Sequence, residues 1–364
     1  MDDGVNCCSG WWLYFKVNSL MEKFSKLNSA KISGVVTCLP NRVIENNYFS
    51  DFLSETEIEN IEKMAGVKKR YWVEDESAVD LCVCAGKDLI EQLNWKCDEI
   101  DAVIYVTQSP DYVLPASSIK IAGQLGLRNG VIAYDVNLGC SGYPYGLFLA
   151  ETMIASGIAN KVLLMVGETT SKIIDKKDKS TALIFGDAGA ATALESDVSE
   201  DSFYILGSDA SGEKNLIVPN SRFSKNVMMH DPRMIGRNHD YIFMDGAEVF
   251  NFTLKNVPRL VGAISEISGG SFDYYLFHQA NKFMLNHLVK KMKINSDLSP
   301  INIDEYGNTS SVSIPLLLTT TLREKIKESP STKVGMFGFG VGYSWAAAVK
   351  VLRSDIVLRN IFLK

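Results

Sequence analysis

Short, continuous runs of apolar residues recur along the chain and predict buried β-strands. Two of these runs open with an aspartate: "DAVIYVT" at residues 101–107 and "DYYLFHQ" at residues 273–279. Strands of a sheet that is covered on both faces read as continuous apolar runs, whereas a sheet with one solvated face gives alternation. The pattern therefore favours a layered α/β fold in which helices cover the sheets.

The same order of elements occurs twice. A strand, a glycine and a small or polar residue before a long apolar helix are predicted at "YDVNLGCSG" (134–142) and again at "NIDEYGNTS" (302–310). Two further pairs follow in order: "KVLLMVG" with "KVGMFGFG", and "GDAGAATAL" with "GYSWAAAVKV". We interpret this as an internal duplication with a pseudo-twofold relation between the halves. Such symmetry would place Cys140 and Asn308 at equivalent strand-to-helix corners that face one cleft.

The 364 residues exceed the usual size of one domain and divide into three predicted parts. These are an N-terminal extension (1–30), a first half (31–200) and a second half (201–364). The apolar run from Cys7 to Val17 is about half a membrane span, so we predict neither a signal peptide nor a transmembrane helix. Its simplest interpretation is an extension outside the fold; a helix that covers a partner or lies on a membrane surface is the alternative.

Composition narrows the function classes. The chain is 46% hydrophobic and 22% charged, which is typical of a soluble globular protein, and its net charge of -6 argues against a nucleic-acid surface. The seven cysteines show no disulfide framework, which indicates a reducing cytoplasm. Cys82 and Cys84 form a C-x-C pair without a second pair or a nearby histidine, so we expect burial rather than a metal site.

Cys140 is a candidate nucleophile. It lies between Gly139 and Gly142 just before a helix-forming run, and a helix N-terminus favours the thiolate of a cysteine. The segment lacks the first glycine of the G-x-S-x-G elbow, because position 138 is Leu. A small, buried hydrophobic residue is the alternative interpretation, and this segment alone does not decide between the two.

Two polar residues of the second half are candidates for the same cleft. His278 ends a strongly apolar strand, where α/β proteins bind ligands, although a hydrogen-bonded core histidine would fit the same pattern. His287 is expected at the surface, and His230 and His239 lie in a polar loop. Asn308 precedes Thr and Ser, which is typical of a helix cap, but its symmetry with Cys140 favours an amide donor in the cleft.

Glycines alternate at positions 338, 340 and 342 in "FGFGVGYSW", at the end of a predicted strand. Neither G-K-[ST] nor the Rossmann spacing accompanies them, so they do not predict a phosphate loop. Alternating glycines would instead allow backbone N–H groups to line a cleft wall, where such donors stabilise an oxyanion.

Four motifs in order resemble the β-ketoacyl-[acyl-carrier-protein] synthase III family of the thiolase-like fold. They are "GCSGYPYGL", "FHQANK", "YGNTSSVSIP" and "FGFGVGYSW", with "IFGDAGAAT" between the two halves, and the resemblance extends from about Lys31 to Leu352. It implies an α-β-α-β-α fold of two duplicated halves and a homodimer. It implies no cofactor and no metal.

The resemblance also implies a catalytic triad of Cys140, His278 and Asn308 and a reaction in two halves. An acyl group passes from a thioester to Cys140; malonyl-carrier protein then loses carbon dioxide, and its carbanion attacks the acyl-enzyme to give a β-ketoacyl thioester. His278, neutral and with a lowered pKa, and Asn308 would both donate hydrogen bonds to the malonyl thioester oxygen. The backbone N–H groups of Cys140 and Gly342 would form the oxyanion hole.

The sequence departs from the family pattern at substrate-binding positions. The Trp and Arg that clamp the adenine of coenzyme A correspond to Asn60 and Met64, which puts coenzyme A in doubt as the acyl donor. The basic residue that docks carrier protein corresponds to Phe283, with Lys282 beside it. The aromatic residue that closes the acyl pocket from the partner subunit corresponds to Leu114, so a longer or branched acyl group would fit.

Two alternative functions remain open from the sequence. One is an acyltransferase that passes the acyl group of Cys140 to an amine or hydroxyl acceptor. The amide of Asn308 favours decarboxylation instead, because it supports an enolate without deprotonating an acceptor. The other is a non-catalytic subunit of a condensing-enzyme heterodimer, against which the complete triad argues.

Overall fold

The computed structural model describes residues 23–220 and 223–364, so the run from Cys7 to Val17 lies outside the described residues. The strands within these ranges are β1 Lys23–Leu27, β2 Ala30–Leu39, β3 Arg42–Glu45, β4 Lys69–Trp72, β5 Ala102–Val106, β6 Ile132–Val136, β7 Lys161–Glu168, β8 Ala188–Ser196, β9 Ser202–Ser208, β10 Leu216–Ile217, β11 Phe243–Met244, β12 Tyr274–Phe277, β13 Ser331–Gly340, β14 Ser344–Arg353 and β15 Val357–Phe362. The α-helices are α1 Glu55–Ala65, α2 Ala78–Gln92, α3 Ser117–Gln124, α4 Gly142–Ala155, α5 Gly246–Ile267, α6 Lys282–Met292, α7 Ile303–Tyr306, α8 Ser313–Leu316 and α9 Arg323–Glu328. In this part of the chain, no helix combines the length and apolarity needed to cross a bilayer.

Two mixed sheets form the body of the fold. The six-stranded sheet has the order β15-β2-β8-β7-β5-β6, and the five-stranded sheet has the order β1-β9-β14-β13-β12. Read from the same edge, β8 corresponds to β14, β7 to β13 and β5 to β12. These are the pairs of apolar runs that the sequence duplication predicts.

The two sheets enclose a central helical layer. Helix α4 and the helical segment 310–328 lie between the sheets, α2 and α3 cover the outer face of the six-stranded sheet, and α5 and α6 cover the five-stranded sheet. Helix α4 is apolar nearly all round because it is buried on all sides, with Tyr143, Leu147 and Ala150 fully buried. The predicted α-β-α-β-α fold is confirmed.

The terminal strands cross the predicted division of the chain. Strand β1 comes from residues 1–30, the predicted extension, yet it pairs antiparallel with β9 in the sheet of the second half. Strand β15 belongs by sequence to residues 201–364 but pairs in parallel with β2 in the sheet of the first half. The two halves are therefore joined by an exchange of edge strands.

The strand predicted in "NIDEYGNTS" is wrong. Residues Ile303–Tyr306 form the short helix α7, and the five-stranded sheet ends at β12. Gly307, with φ of 68°, turns the chain out of the helix. Asn308 then bonds to the segment after β7: its N–H donates to the Ile184 carbonyl at 2.8 Å, and the Gly186 N–H donates to its carbonyl at 3.1 Å. This single bridge takes the place of a strand.

The long apolar helix predicted after Asn308 is divided into α8, a π-helical turn at Leu317–Thr321 and α9. The hydroxyls of Thr319 and Thr320 donate to the carbonyls of Pro315 and Leu316 at 3.1 and 2.5 Å. Threonine hydroxyls that bond to the preceding turn compete with the regular helix ladder.

A buried ion pair connects the central helix to both sheets. Lys350 Nζ on β14 lies 2.9 Å from Glu151 Oε2 on α4, and both side chains are nearly inaccessible. The same ammonium donates to the Ala30 carbonyl and to the Ser202 hydroxyl, each at 2.7 Å. Because the ammonium and the carboxylate both have hydrogen-bond partners, the pair fixes the position of α4. It thereby also fixes the turn that precedes α4.

Candidate active site

Cys140 lies in the turn between β6 and α4. The turn is closed by the Gly142 N–H, which donates to the Gly139 carbonyl at 2.7 Å. The hydroxyls of Ser141 and Ser344 lie 2.6 Å apart and connect the turn to β14. The Cys140 side chain is buried, with 8% exposed, so the turn presents its thiol to an interior cleft.

The end of β13 lies directly against this turn. A Cβ atom on Gly340 would stand 2.7 Å from Cys140 Cβ, and a Cβ on Gly338 would stand 2.8 Å from the Cys140 carbonyl oxygen. Separations this short exclude any side chain, and Gly340 also has a φ of 156°. The alternating glycines thus allow the close backbone approach expected from the sequence.

The backbone N–H that acts on the Cys140 sulfur is that of Val341, the residue before the predicted oxyanion donor Gly342. It acts to lower the pKa of the thiol, and Val341 lines a cavity there. At Gly342, the predicted donor, the chain turns towards Asp209: the Asp209 N–H donates to the Tyr343 carbonyl at 2.9 Å, and the Tyr343 N–H returns a bond of 2.8 Å. This pairing directs the chain away from the sulfur after Val341.

His278 follows β12 and is 1% exposed. Its Nδ1 atom lies 3.1 Å from the Ser310 carbonyl oxygen and 2.9 Å from the Ser313 hydroxyl oxygen. The Ser313 hydroxyl donates to the same carbonyl at 2.8 Å, so its oxygen is free to accept. Because a carbonyl only accepts, Nδ1 carries the proton.

This tautomer changes the role expected of His278. Burial lowers its pKa to about 4, which agrees with the expectation of a neutral ring. With the proton on Nδ1, however, Nε2 holds a lone pair and accepts a proton rather than donating one. In this tautomer Nε2 is an acceptor, whereas the role predicted from the sequence is that of a donor.

Asn308 is buried, with its side-chain oxygen oriented by the backbone. The Ser310 N–H donates to Asn308 Oδ1 at 2.9 Å, which identifies that atom as the oxygen. This is the local bond expected of a capping asparagine. It leaves the Nδ2 donor group for the cavity that Asn308 lines.

Ser310 connects the three candidate residues and was missed by the sequence analysis. Its carbonyl accepts from His278, its N–H donates to Asn308, and its hydroxyl acts to lower the pKa of the Cys140 thiol. It adopts a φ of 52°, in the left-handed region that serine rarely occupies. The only signal in the sequence was its place two residues after Asn308 in the polar run "NTSSVS".

Cys140 is a neutral thiol in the resting site. Burial raises its pKa, and the bonds from the Val341 N–H and the Ser310 hydroxyl oppose that rise. The sequence predicted a thiolate favoured by the helix N-terminus. Desolvation outweighs that effect, so the thiol needs a base or an approaching substrate to lose its proton.

Two cavities meet at Cys140. One of about 60 Å³ is bordered by Cys140, His278 and Asn308. The other, of about 300 Å³, is bordered by Cys140 and Glu168. The structure thus brings the three residues of the predicted triad to one cavity and adds a second space for a group attached to the sulfur.

The predicted substrate-binding residues lie at the surface. Asn60 and Met64 are exposed on α1, and Leu114 is 79% exposed at a loop tip. Lys282 packs against Gly66 in a groove between α1 and α6. Phe283 is exposed beside it and stacks on Phe250, at 5.7 Å between ring centroids. None of them borders either cavity at Cys140.

The fold and the buried Cys–His–Asn cavity define a thiolase-like condensing enzyme class. Residues 134–214 match the family model described as 3-oxoacyl-[acyl-carrier-protein (ACP)] synthase III, and residues 264–351 match the model of its C-terminal part. The β-ketoacyl-[acyl-carrier-protein] synthase III of Lactococcus lactis is 33% identical over 88% of this chain and 98% of its own. The chain belongs to the 3-oxoacyl-[acyl-carrier-protein] synthase III family, as the sequence motifs predicted.

Solved structures agree with this assignment. A 3-oxoacyl-(acyl-carrier protein) synthase from Burkholderia xenovorans superposes with a TM-score of 0.92 at 45% identity, over 94% of this chain and 99% of the other. The synthase III of Pseudomonas aeruginosa superposes with a TM-score of 0.78 at 27% identity, over 89% and 98%. The whole described fold, rather than one domain, is shared with these enzymes.

Proposed function

We propose that the protein loads an acyl group onto Cys140 and condenses it with a malonyl thioester to give a β-ketoacyl thioester. The observation that carries the proposal is the single cavity bordered by Cys140, His278 and Asn308. Covalent capture divides a difficult carbon–carbon bond formation into two easier steps.

In the first half-reaction, the Cys140 sulfur attacks the carbonyl carbon of the acyl thioester. The bond from that carbon to the donor sulfur breaks, and the thiol proton leaves with the departing thiol. His278 Nε2 is the base in this cavity, since Nδ1 holds its proton towards Ser310. The N–H groups of Val341 and Cys140 are suited to hold the oxyanion of the tetrahedral intermediate.

In the second half-reaction, the malonyl thioester loses carbon dioxide and its thioester oxygen gains charge. The Nδ2 group of Asn308 is the donor for this enolate oxygen, because its Oδ1 is already bonded to the Ser310 N–H. The enolate carbon then attacks the acyl carbonyl and displaces Cys140 as the thiolate. A proton from solvent restores the thiol.

We infer acyl-carrier protein as the carrier of at least one substrate, as the names of the relatives state for those enzymes. Lys282, in the groove with Lys63 and Lys68, is the candidate docking residue. A homodimer in which the exposed Leu114 of one subunit closes the acyl cavity of the other completes the proposal. The free thiols of the described cysteines suit a cytoplasmic protein.

Carbon dioxide release tests condensation against simple acyl transfer. Enzyme with a loaded acyl group is mixed with carboxyl-labelled malonyl-carrier protein, and labelled gas and β-ketoacyl product are measured together. Equal amounts of both support condensation. Acyl-enzyme that transfers its group to an amine or alcohol, without any gas release, would establish an acyltransferase instead.

A further inference from the structure

The larger cavity beside Cys140 is lined by both apolar and polar side chains. We call its isoleucine, leucine, valine and phenylalanine residues the apolar wall, and Gln108, Asn137, Glu168 and Thr170 the polar wall. Its volume of about 300 Å³ is at the small end of the range of small-molecule pockets. A short group attached to the Cys140 sulfur would therefore lie against both walls.

Glu168 is the most unusual member of the polar wall. It ends β7, is 2% exposed, and accepts bonds from the Gln108 N–H at 3.0 Å and the Ser109 hydroxyl at 2.9 Å. Each carboxyl oxygen has one such partner and retains capacity for another. Because Glu168 lines the cavity, this unused capacity is available to a group bound there.

The charge effects on Glu168 disfavour its ionisation. Cys140 and Asp187 both oppose a negative charge on it through space. Burial raises the pKa of Glu168 to about 8. At neutral pH the carboxyl group is mostly protonated, and a neutral carboxyl both donates and accepts hydrogen bonds.

An unsubstituted alkyl chain is a poor match for this wall. It would cover the polar groups without replacing the hydrogen bonds that water makes to them, and a buried polar group left without a partner costs roughly 1–3 kcal/mol. A hydroxyl or keto oxygen on the chain satisfies the same groups. Sites that bind such an oxygen by hydrogen bonds reject the analogue that lacks it.

We propose that the acyl group loaded onto Cys140 is a short one that carries a hydroxyl or keto oxygen, and that this oxygen hydrogen-bonds to Glu168. The inference rests on the proposed function, because it assumes that Cys140 is acylated. It makes Glu168 a specificity-determining residue, with the hydroxyl of Thr170 as a second polar contact on the same wall.

The test measures the rate of Cys140 acylation by matched thioesters. The probes are pantetheine thioesters of butanoate, 3-hydroxybutanoate, 3-oxobutanoate, pentanoate and 4-oxopentanoate, and loading is followed by intact mass. The expected result is at least one oxygenated probe that loads about tenfold faster than its alkyl partner. Glu168→Gln, whose amide both donates and accepts hydrogen bonds as a neutral carboxyl does, should retain this preference, and Glu168→Leu should abolish it.

Two further variants keep the test decisive. Thr170→Val preserves shape on the polar wall without touching the Gln108 and Ser109 bonds, and it should reduce the preference even if Glu168→Leu fails to fold. Glu91→Gln, an exposed neutralisation on α2, should leave it unchanged. Equal loading of alkyl and oxygenated probes by the wild type would overturn this inference alone. Failure of every probe to load Cys140 would overturn the proposed function as well.

Discussion

The Nδ1 atom of His278 lies 3.1 Å from the backbone carbonyl oxygen of Ser310, and this contact determines which side of the imidazole carries the proton. Nε2 is thereby left with a lone pair towards the cavity that contains Cys140. The same serine bonds to Asn308, and its hydroxyl acts to lower the pKa of the Cys140 thiol. The three candidate catalytic side chains are oriented by one residue.

The pH dependence of Cys140 alkylation should reveal its raised pKa. Only the thiolate reacts with iodoacetamide, so the rate should rise through a midpoint above the ordinary thiol value of about 8.5. His278 should add no inflection near pH 6.5, because burial lowers its pKa to about 4 and it stays neutral from there upward. A midpoint below 8 would contradict the desolvated thiol.

Ser310→Gly should move that midpoint further up. Glycine accepts the φ of 52° and keeps the backbone bonds to His278 and Asn308, so the change removes the effect of the hydroxyl on the Cys140 pKa with little else. We expect alkylation at pH 8 to slow by about threefold to tenfold, since one hydrogen bond is worth about 0.5–1.5 kcal/mol. An unchanged profile would show that the hydroxyl does not act on the thiol.

Asn308→Asp should separate the two half-reactions. The carboxylate keeps the size of the side chain but removes the Nδ2 donor, so carbon dioxide release should fall by about 10²–10³-fold. Loading of Cys140 should change by less than about tenfold, because the donor acts on the malonyl oxygen alone. Rapid-quench measurement of each step checks this. If only the loading of Cys140 slowed, Asn308 would act in the first half-reaction, which would contradict its proposed role.

Gly340→Ala should abolish loading in a folded protein. The added Cβ would collide with Cys140, because it would stand 2.7 Å from Cys140 Cβ. The alanine would also have to adopt an unfavourable φ of 156°. Gly123→Ala is the matched control: nothing lies within 4 Å of its Cβ, and alanine in a helix should stabilise the fold by about 0.5–1 kcal/mol. Acylation of Gly340→Ala at the wild-type rate would contradict the close approach of β13.

Lys350→Met should destabilise the fold by about 3–5 kcal/mol, because it leaves the Glu151 carboxylate buried without its partner. Urea denaturation measures the change. Lys63→Met, which removes an exposed pair with Glu59 at 3.5 Å, should cost less than about 1 kcal/mol. Equal effects of the two substitutions would mean that the buried pair does not hold α4.

The sequence predicted the two sheets well because their strands are continuous apolar runs. Such runs are typical of strands in a sheet that is buried on both faces. It failed at "NIDEYG", where duplication implied a strand but Ile303–Tyr306 form a helix that ends at Gly307. The bonds of Asn308 to Ile184 and Gly186, which take the place of that strand, are long-range contacts that carry no sequence period.

The candidate site, like the fold, was predicted from the sequence only in part. Cys140, His278 and Asn308 were identified because each occupies a distinctive motif. Ser310 acts through both its backbone and its hydroxyl, and Val341 acts through its backbone N–H alone. The residue types at these positions therefore gave no signal. The tautomer of His278 and the raised pKa of Cys140 depend on burial and on partners far along the chain, which only the fold determines.

The most direct test of the account is the intact mass of the protein after incubation with acyl thioesters, followed by peptide mapping. We predict a single acyl adduct on Cys140 that disappears in Cys140→Ala and upon addition of malonyl-carrier protein. An adduct on another residue, or no adduct with any short acyl thioester, would contradict the central claim that Cys140 is the nucleophile of a condensing enzyme.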